Sequence, residues 1–254
     1  PFQHNGEMAL AGPKYSIPGS LGISALNEAD IPTQELYDQF DNRDLRKKTN
    51  FKTEFAHLKT GEILKSSIPL SGKFWVEGLE TGDRCDVNMH IIRYADAILM
   101  YAEALNELGA STYQIPSWDG TQSYDISRDK NEMSYAISRV RIRGGVPDFG
   151  SDVYENADEF RKHLKHERQI ELFAENSRYF DLRRWKDAEY EESQQMYGCN
   201  AYMSKTERDL FHTQVINSNL PTTFSRKMYF WPISHDQLRR NLRLTQNPGW
   251  TYYD

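Results

Sequence analysis

The stretch "RYADAILMYAEALNELG", residues 93–109, decides the fold. Together with Ile91 just upstream, Ala95, Ile98, Ala102 and Leu105 fall four, three, four and three residues apart, which lines one face of a helix. Gly109 supplies a stop, so the predicted helix covers residues 90–108. Its odd feature is small side chains: Ala95, Ala102 and Ala104 sit among Ile98, Leu99 and Leu105. Small residues at regular positions let a second backbone come close, as in tetratricopeptide-type hairpins. The partner is the next periodic stretch, 129–142, with Met133, Ala136, Ile137 and Val140 inward and Gly144 and Gly145 at its end. On periodicity alone, an ordinary helix that happens to contain alanines competes with this reading. A third helix starts near Asn156, with Glu159 three residues on giving a capping-box-like signal. Its apolar residues are Phe160, Leu164, Ile170 and Phe173, and Asn176 breaks it. One hairpin is not a stable solenoid by itself, so neighbours are expected.

Outward from these helices the pattern weakens. Residues 1–30 carry Gly6, Gly12, Pro13, Pro18, Gly19 and Gly22 with little periodicity and read as loop. "PTQELYDQF" (32–40) reads as a short helix capped by Thr33, and "DNRDLRKK" (41–48) as a solvated turn. Residues 50–88 read as irregular strands and loops. No clear pattern emerges from 188 to 230, and "QNPGW" (246–250) is a turn. The fold class is mainly α: tetratricopeptide-like hairpins with long irregular loop insertions. It divides into a loop-rich segment, 1–89, holding a short helix and irregular strands, and a helical region, 90–254.

The bulk properties exclude several classes of function. A net charge of −6 and a pI near 5.7 argue against nucleic acid, which favours a basic stripe. No apolar run approaches the roughly 18 residues of a spanning helix. The mean hydropathy of −0.76 is polar, yet the chain holds 15 Tyr, 12 Phe and 5 Trp. Tyr and Trp need partners for their polar tips when buried, so some are expected on a surface that binds something. Cys85 and Cys199 could form one disulfide or remain two separate thiols. The chain starts at "PFQHNG" without Met or signal peptide, as a processed or excised part of something longer would.

Four motifs occur in order across residues 91–250: "IIRYADAILMYAEALNELG", "AISRVRIRGGVPDF", "ERQIELFAENSRYFDLRRWK" and "YFWPISHDQLRRNLRLTQNPGW". Together they resemble the C-terminal region of the SusD/RagB family of Bacteroidetes outer-membrane nutrient-binding lipoproteins. "PTQELYDQFDNRDLR" resembles the segment just upstream. The resemblance implies a helical-repeat scaffold with irregular insertions that captures glycans, or in some members peptides, at the cell surface. It implies no enzymatic activity and no cofactor. It implies a SusC-like TonB-dependent transporter barrel as partner, and an outer-membrane location through a lipidated N-terminal cysteine that this chain lacks. It also implies that the N-terminal half of the family's scaffold is absent here. Two departures stand out: "PIS" replaces the usual "IP", and Asn176 replaces the usual glycine. A generic helical-repeat interaction module remains an alternative.

The motif residues Arg93, Glu103, Arg168, Glu171 and Arg178 read as buried or half-buried ion pairs. Glu167 and Glu171, four apart on one helix, stand side by side rather than flanking a scissile bond, which disfavours a glycosidase pair. His163 and His166, beside Glu167, have a spacing that permits a shared metal, but a solvated helical face fits better. Asp83, Asp86 and Asn88 are candidate calcium ligands, although the full twelve-residue loop pattern is missing. Sugar recognition needs flat apolar faces with polar groups beside them. The candidates are Phe2 with Gln3, His4 and Asn5; Tyr15; Trp75; and Tyr113 with Trp118, Asp119 and Gln122. Trp75, in the Gly-bounded "SGKFWVEG", leads them. For each alone, a loop anchor packed on the core is an equal reading.

Overall fold

The structure is a computed structural model and describes residues 4–5, 34–56, 63–73, 84–85, 90–194, 197–198, 214–215 and 224–251. Side chains are described for the helices and their connections, and for few of the strand residues before residue 90. The elements in chain order are β1 (His4–Asn5), α1 (Gln34–Asp38), α2 (Leu45–Asn50), β2 (Phe51–Ala56), β3 (Ile63–Ser71), β4 (Arg84–Cys85), α3 (Tyr94–Glu107), β5 (Tyr113–Pro116), β6 (Ser123–Ile126), α4 (Lys130–Arg143), α5 (Ser151–Glu155), α6 (Ala157–Glu171), α7 (Ser177–Trp185), α8 (Ala188–Glu191), β7 (Tyr197–Gly198), β8 (Gln214–Val215), a 3₁₀ turn (Arg226–Tyr229) and α9 (His235–Arg240). Among the described residues, the strands form four separate antiparallel pairs, β1–β4, β2–β3, β5–β6 and β7–β8. The protein is mainly helical, as its sequence pattern predicts.

The alanine-rich helix packs as expected. Leu99, Ala102 and Leu105 of α3 share one buried cluster with Met133, Ala136, Ile137 and Val140 of α4, and Ala95 and Ile98 pack at its edge. The two helices run antiparallel. Arg128, just before α4, donates to Asn106 Oδ1 near the end of α3, at 3.0 Å. At the other end the Arg139 guanidinium lies over the Tyr94 ring, at the start of α3. Helix α6 flanks the pair and is also antiparallel to α3: Asn106 Nδ2 donates to Ala157 O, and Arg168 lies 2.9 Å from Asp96. Val153 and Tyr154 of α5 and Phe160 and Leu164 of α6 complete the cluster.

Caps fix where the helices begin. Asp129 accepts from the N–H groups of Asn131 and Glu132, and Asn156 accepts from those of Asp158 and Glu159. Glu159 does not return a capping-box bond; its carboxylate accepts from Lys162 at 2.6 Å. Asn176 sits in the left-handed region at φ 62°. Asparagine tolerates that conformation better than most residues do, which explains how it stands where the resembling family has glycine.

Two expectations need correction. Ile91 is not on the inner helical face: α3 begins only at Tyr94, and Ile91 is 96% exposed. The stretch 41–48 is not a solvated turn; it leads into α2, and Asp44 and Lys47 are buried. Arg178 is half-buried and pairs with Glu191, within the half-buried ion-pair reading of its motif. The expected cap Thr33 lies outside the described residues.

Ion pairs join these elements. Arg46 of α2 donates to its cap Asp44 and, through Nη1, to Glu167 (2.6 Å) and Glu171 (2.8 Å) on α6. Arg141 at the end of α4 takes the second oxygen of Glu167 at 2.6 Å. Arg93 and Arg143 both donate to Glu171 Oε1, each at 2.5 Å. Arg93 also holds Glu175, which pairs with Lys73. Farther along, Arg168 pairs with Asp181, while Arg184 and the Trp185 indole N–H hold Glu103. Such charges are buried at low cost only because each is answered. A smaller aromatic cluster of Phe40, Phe51 and Ile170, flanked by Tyr37 and Phe173, seats the 34–51 segment on α6. Phe40 and Phe51 meet edge to face at 4.9 Å.

Candidate functional site

Most of the aromatic candidates fall outside the described residues: Phe2, Tyr15 and Trp75, and with them the calcium candidates Asp83, Asp86 and Asn88. The backbone of His4 is described, in β1 opposite Cys85. Cys199 also lies outside the described residues. Tyr113 and Trp118 are described, and the structure brings them together on one hairpin.

That hairpin, β5–β6, leaves the end of α3 and returns at the start of α4. Its register pairs Tyr113 with Ile126, Gln114 with Asp125, Ile115 with Tyr124 and Pro116 with Ser123. Directly paired residues share a face, and residues two apart along a strand share it too. Tyr113, Ile115, Tyr124 and Ile126 therefore line one face. Ile126 packs at the edge of the core, which anchors the hairpin's base. Tyr113, Ile115 and Tyr124 remain exposed. Polar residues Gln114, Ser123 and Asp125 occupy the other face with Pro116.

The tip is tightly hydrogen-bonded. Ser117 N donates to Gln122 O at 2.8 Å, and Gly120 N donates to Ser117 O at 2.9 Å. Gly120 takes φ +69°, which glycine adopts without strain. Asp119 Oδ1 accepts three bonds, from Ser117 Oγ (2.6 Å), Thr121 N (3.1 Å) and Thr121 Oγ1 (2.8 Å). Those hydrogen bonds, the Ser117 hydroxyl first, hold the Asp119 carboxyl well below its ordinary range, at about 2. The Tyr124 hydroxyl donates to Gln122 Oε1 at 2.8 Å. Trp118 stands on this platform 98% exposed. A folded loop that holds an indole almost wholly in water is unlike a core anchor, which would bury it. Ser117, Asp119, Thr121 and Gln122 flank Trp118 within the same turn, so the tip has the composition of a sugar-contacting surface.

Other features read as structural. A cleft of about 330 Å³ opens beside Asp38, Asp41, Asp44, Arg46, Arg141, His166 and Glu167. Three of its acids, Asp41, Asp44 and Glu167, are already held by Arg43, Arg46 and Arg141. Glu167 and Glu171 both accept from the one Arg46 guanidinium, an ion-pair arrangement rather than that of an acid and a base facing a substrate. His163 Nδ1 lies 2.9 Å from Glu159 O, with its ring against Phe149. Among the described residues, no group of three His, Cys, Asp or Glu side chains could hold a metal. Among them also, no helix is long and apolar enough to cross a membrane.

The hairpin itself is the feature that sequence reading missed. Residues 113–126 hold only four residues per strand, and Pro116, Gly120 and two serines read as loop. The alternation of Tyr113, Ile115, Tyr124 and Ile126 is the signal that could have identified it.

A sequence model of the SusD family matches residues 61–250. SusD-like protein P2 of Formosa agariphila is 25% identical over 236 residues, covering 87% of this chain and 40% of that protein. Among solved structures, a SusD-like protein from Bacteroides fragilis superposes with a TM-score of 0.60 at 19% identity, covering 96% of this chain and 46% of that one. Surface glycan-binding protein A from Bacteroides uniformis gives a TM-score of 0.52 at 20% identity, covering 97% of this chain and 48% of its own length. The chain thus spans about half the length of these solved structures, and less of the curated relative.

Proposed function

The chain belongs to the SusD family, and on that premise we propose that it binds glycans at the bacterial surface and hands them, chemically unaltered, to a TonB-dependent transporter in the outer membrane. The observation that carries this reading is the β5–β6 hairpin, which presents Trp118 at its tip and Tyr113 and Tyr124 along one face. Aromatic faces cover the C–H surfaces of sugar rings, and the nearby Asp119 and Gln122 offer acceptors and donors for hydroxyls. The name of the Bacteroides uniformis neighbour, a surface glycan-binding protein, supports the same reading. On this proposal the protein is not an enzyme, needs no cofactor, and is held at the outer membrane by a lipid anchor.

The test is Trp118→Ala. A stacked indole is worth on the order of 1–3 kcal/mol, so affinity for an oligosaccharide should fall about tenfold, since each 1.4 kcal/mol is a factor of ten. The melting temperature should stay put, because the ring buries almost nothing within the protein. Calorimetric titration with an oligosaccharide panel, paired with a melting curve, reads both. Unchanged affinity in a folded variant would remove the hairpin from the site and return attention to Trp75, Tyr15, Phe2 and His4.

A further inference from the structure

The chemistry of the tip narrows the class of sugar. The three hydrogen bonds that Ser117 and Thr121 donate to Asp119 all go to Oδ1. Among the described residues, nothing bonds to Oδ2. The turn therefore fixes an exposed carboxylate, next in sequence to the exposed Trp118 ring, with one oxygen tied down and the other without a hydrogen bond among the described residues. An ionised carboxylate only accepts hydrogen bonds. Its natural partners beside an aromatic ring are hydroxyl groups, and bonds from hydroxyl to carboxylate are short and strong.

The charges around it point the same way. Asp125, on the opposite face of β6, is a second exposed carboxylate. The one cation in the connection between α3 and α4, Arg128, is turned inward: it donates to Asn106 Oδ1 and to Tyr154 O. Lys130, at the start of α4, is held by Glu155. An anionic sugar would meet negative charge at the tip with no free cation on the hairpin to answer it.

Building on the glycan reading, we propose that the hairpin tip is specific for neutral sugars, with Asp119 Oδ2 accepting from ring hydroxyls while Trp118 stacks on the ring face. Uronic acid and sulfated glycans are disfavoured at this subsite.

The experiment is calorimetric titration of the full chain. Neutral probes are gluco-, manno- and xylo-oligosaccharides; anionic probes are oligouronates and sulfated galactan oligosaccharides. The variants are Asp119→Asn, Asp125→Asn and Trp118→Ala. Asparagine keeps an acceptor for Ser117 and Thr121 and changes chiefly the free atom, so Asp119→Asn tests the contact without dismantling the turn. Neutral sugars should bind, and Asp119→Asn should weaken them about tenfold, the usual size for a charged hydrogen bond. Asp125→Asn, an equal charge change on the other face, should leave affinity as it was. Equal losses in the two Asp variants would reduce Asp119 to a general field effect and overturn the proposal. So would anionic probes that bind as tightly as neutral ones. Binding that Trp118→Ala removes and Asp119→Asn leaves intact overturns this proposal alone and keeps the glycan reading. A wild-type chain that binds no probe overturns both.

Discussion

Gly144 shows how a single residue can be set by a partner that sequence cannot reveal. The pair Gly144–Gly145 reads as a helix stop, and α4 does end there. Gly145 takes φ +79°, where glycine is at ease. Gly144 does not need that freedom, since its φ is −73°. Its reason is space: a Cβ there would sit 2.7 Å from Arg46 Nε and 3.1 Å from Cζ. Arg46 cannot yield easily, because Asp44, Glu167 and Glu171 all hold it. Helix propensity alone predicts that Gly144→Ala stabilises by up to about 1 kcal/mol. The close approach predicts the opposite sign, a loss of roughly 1–3 kcal/mol as in other overpacked sites. Urea denaturation decides between them, and a variant as stable as the parent would show that the arginine hub is loose. The ion pairs of Glu103, Arg93, Arg168 and Glu171 were legible from their motifs as charges that had to be answered. Which charge answers which was not, because the partners come from distant segments.

Whole elements were legible where apolar periodicity defines them and hidden where polar groups do the packing. Helices α3, α4 and α6 each carry an apolar face. The spacing picks out the buried Met133, Ala136, Ile137 and Val140 of α4 and the buried Phe160, Leu164 and Ile170 of α6. It also picks out Ala102 and Leu105 of α3, where Leu99 is buried as well and Ala95 and Ile98 lie only at the edge. Helix α2 buries Asp44, Lys47 and Asn50, one turn apart, instead of apolar residues. Lys47 Nζ donates to Phe40 O and Asn42 Oδ1 and lies over the Tyr37 ring. A reading that looks for hydrophobic stripes sees only solvated charge there. Ile91 fails for the converse reason: it continues the periodicity of α3 by accident. Arg93 has an extended backbone, φ −126°, and its side chain is committed to Glu171 and Glu175. The helix therefore cannot start before it. The close seam between α3 and α4 can be tested at Ala102, which is 0% exposed within the shared cluster. Ala102→Leu should overpack it and cost roughly 1–3 kcal/mol, read as a lower urea midpoint with an unchanged slope. A midpoint equal to that of the parent would mean that the helices have room between them, and the tight-hairpin reading would fail.

At the scale of the molecule, the buried charges tie α2, Lys73, the start of α3, the end of α4, α6 and α7 into one body, and that makes its stability depend on pH. For Glu171, burial alone would raise the pKa, but the hydrogen bonds from Arg46 and Arg93 outweigh it and hold the carboxyl below its ordinary 4.5. Burial is likewise overcome in Glu175 by Arg93 and Lys73, and in Glu103 by Arg184 and Trp185. His166 is also lowered from 6.5, because desolvation disfavours its charged form. The sign is the same for all four. Their folded pKa values lie below the unfolded ones, so the unfolded chain binds more protons and stability rises with pH. The contribution is complete above the unfolded value and is lost as pH falls through the folded one. The melting temperature should therefore be level above about pH 7, dip gently below about 6.5 as His166 titrates, and fall steeply below about 4.5 as the carboxylates do. Because the pairs are largely buried, added salt should move the curve little at neutral pH. Glu171→Gln supplies the internal control. It removes the carboxylate that answers Arg46, Arg93 and Arg143, so it should cost about 3–5 kcal/mol of stability at neutral pH, lowering the plateau, and flatten the acid limb. Calorimetric melts from pH 3 to pH 9 on both proteins make the comparison. A parent curve that stays level to pH 3, or a variant with the same acid limb as the parent, would show that something other than this network holds the helices together.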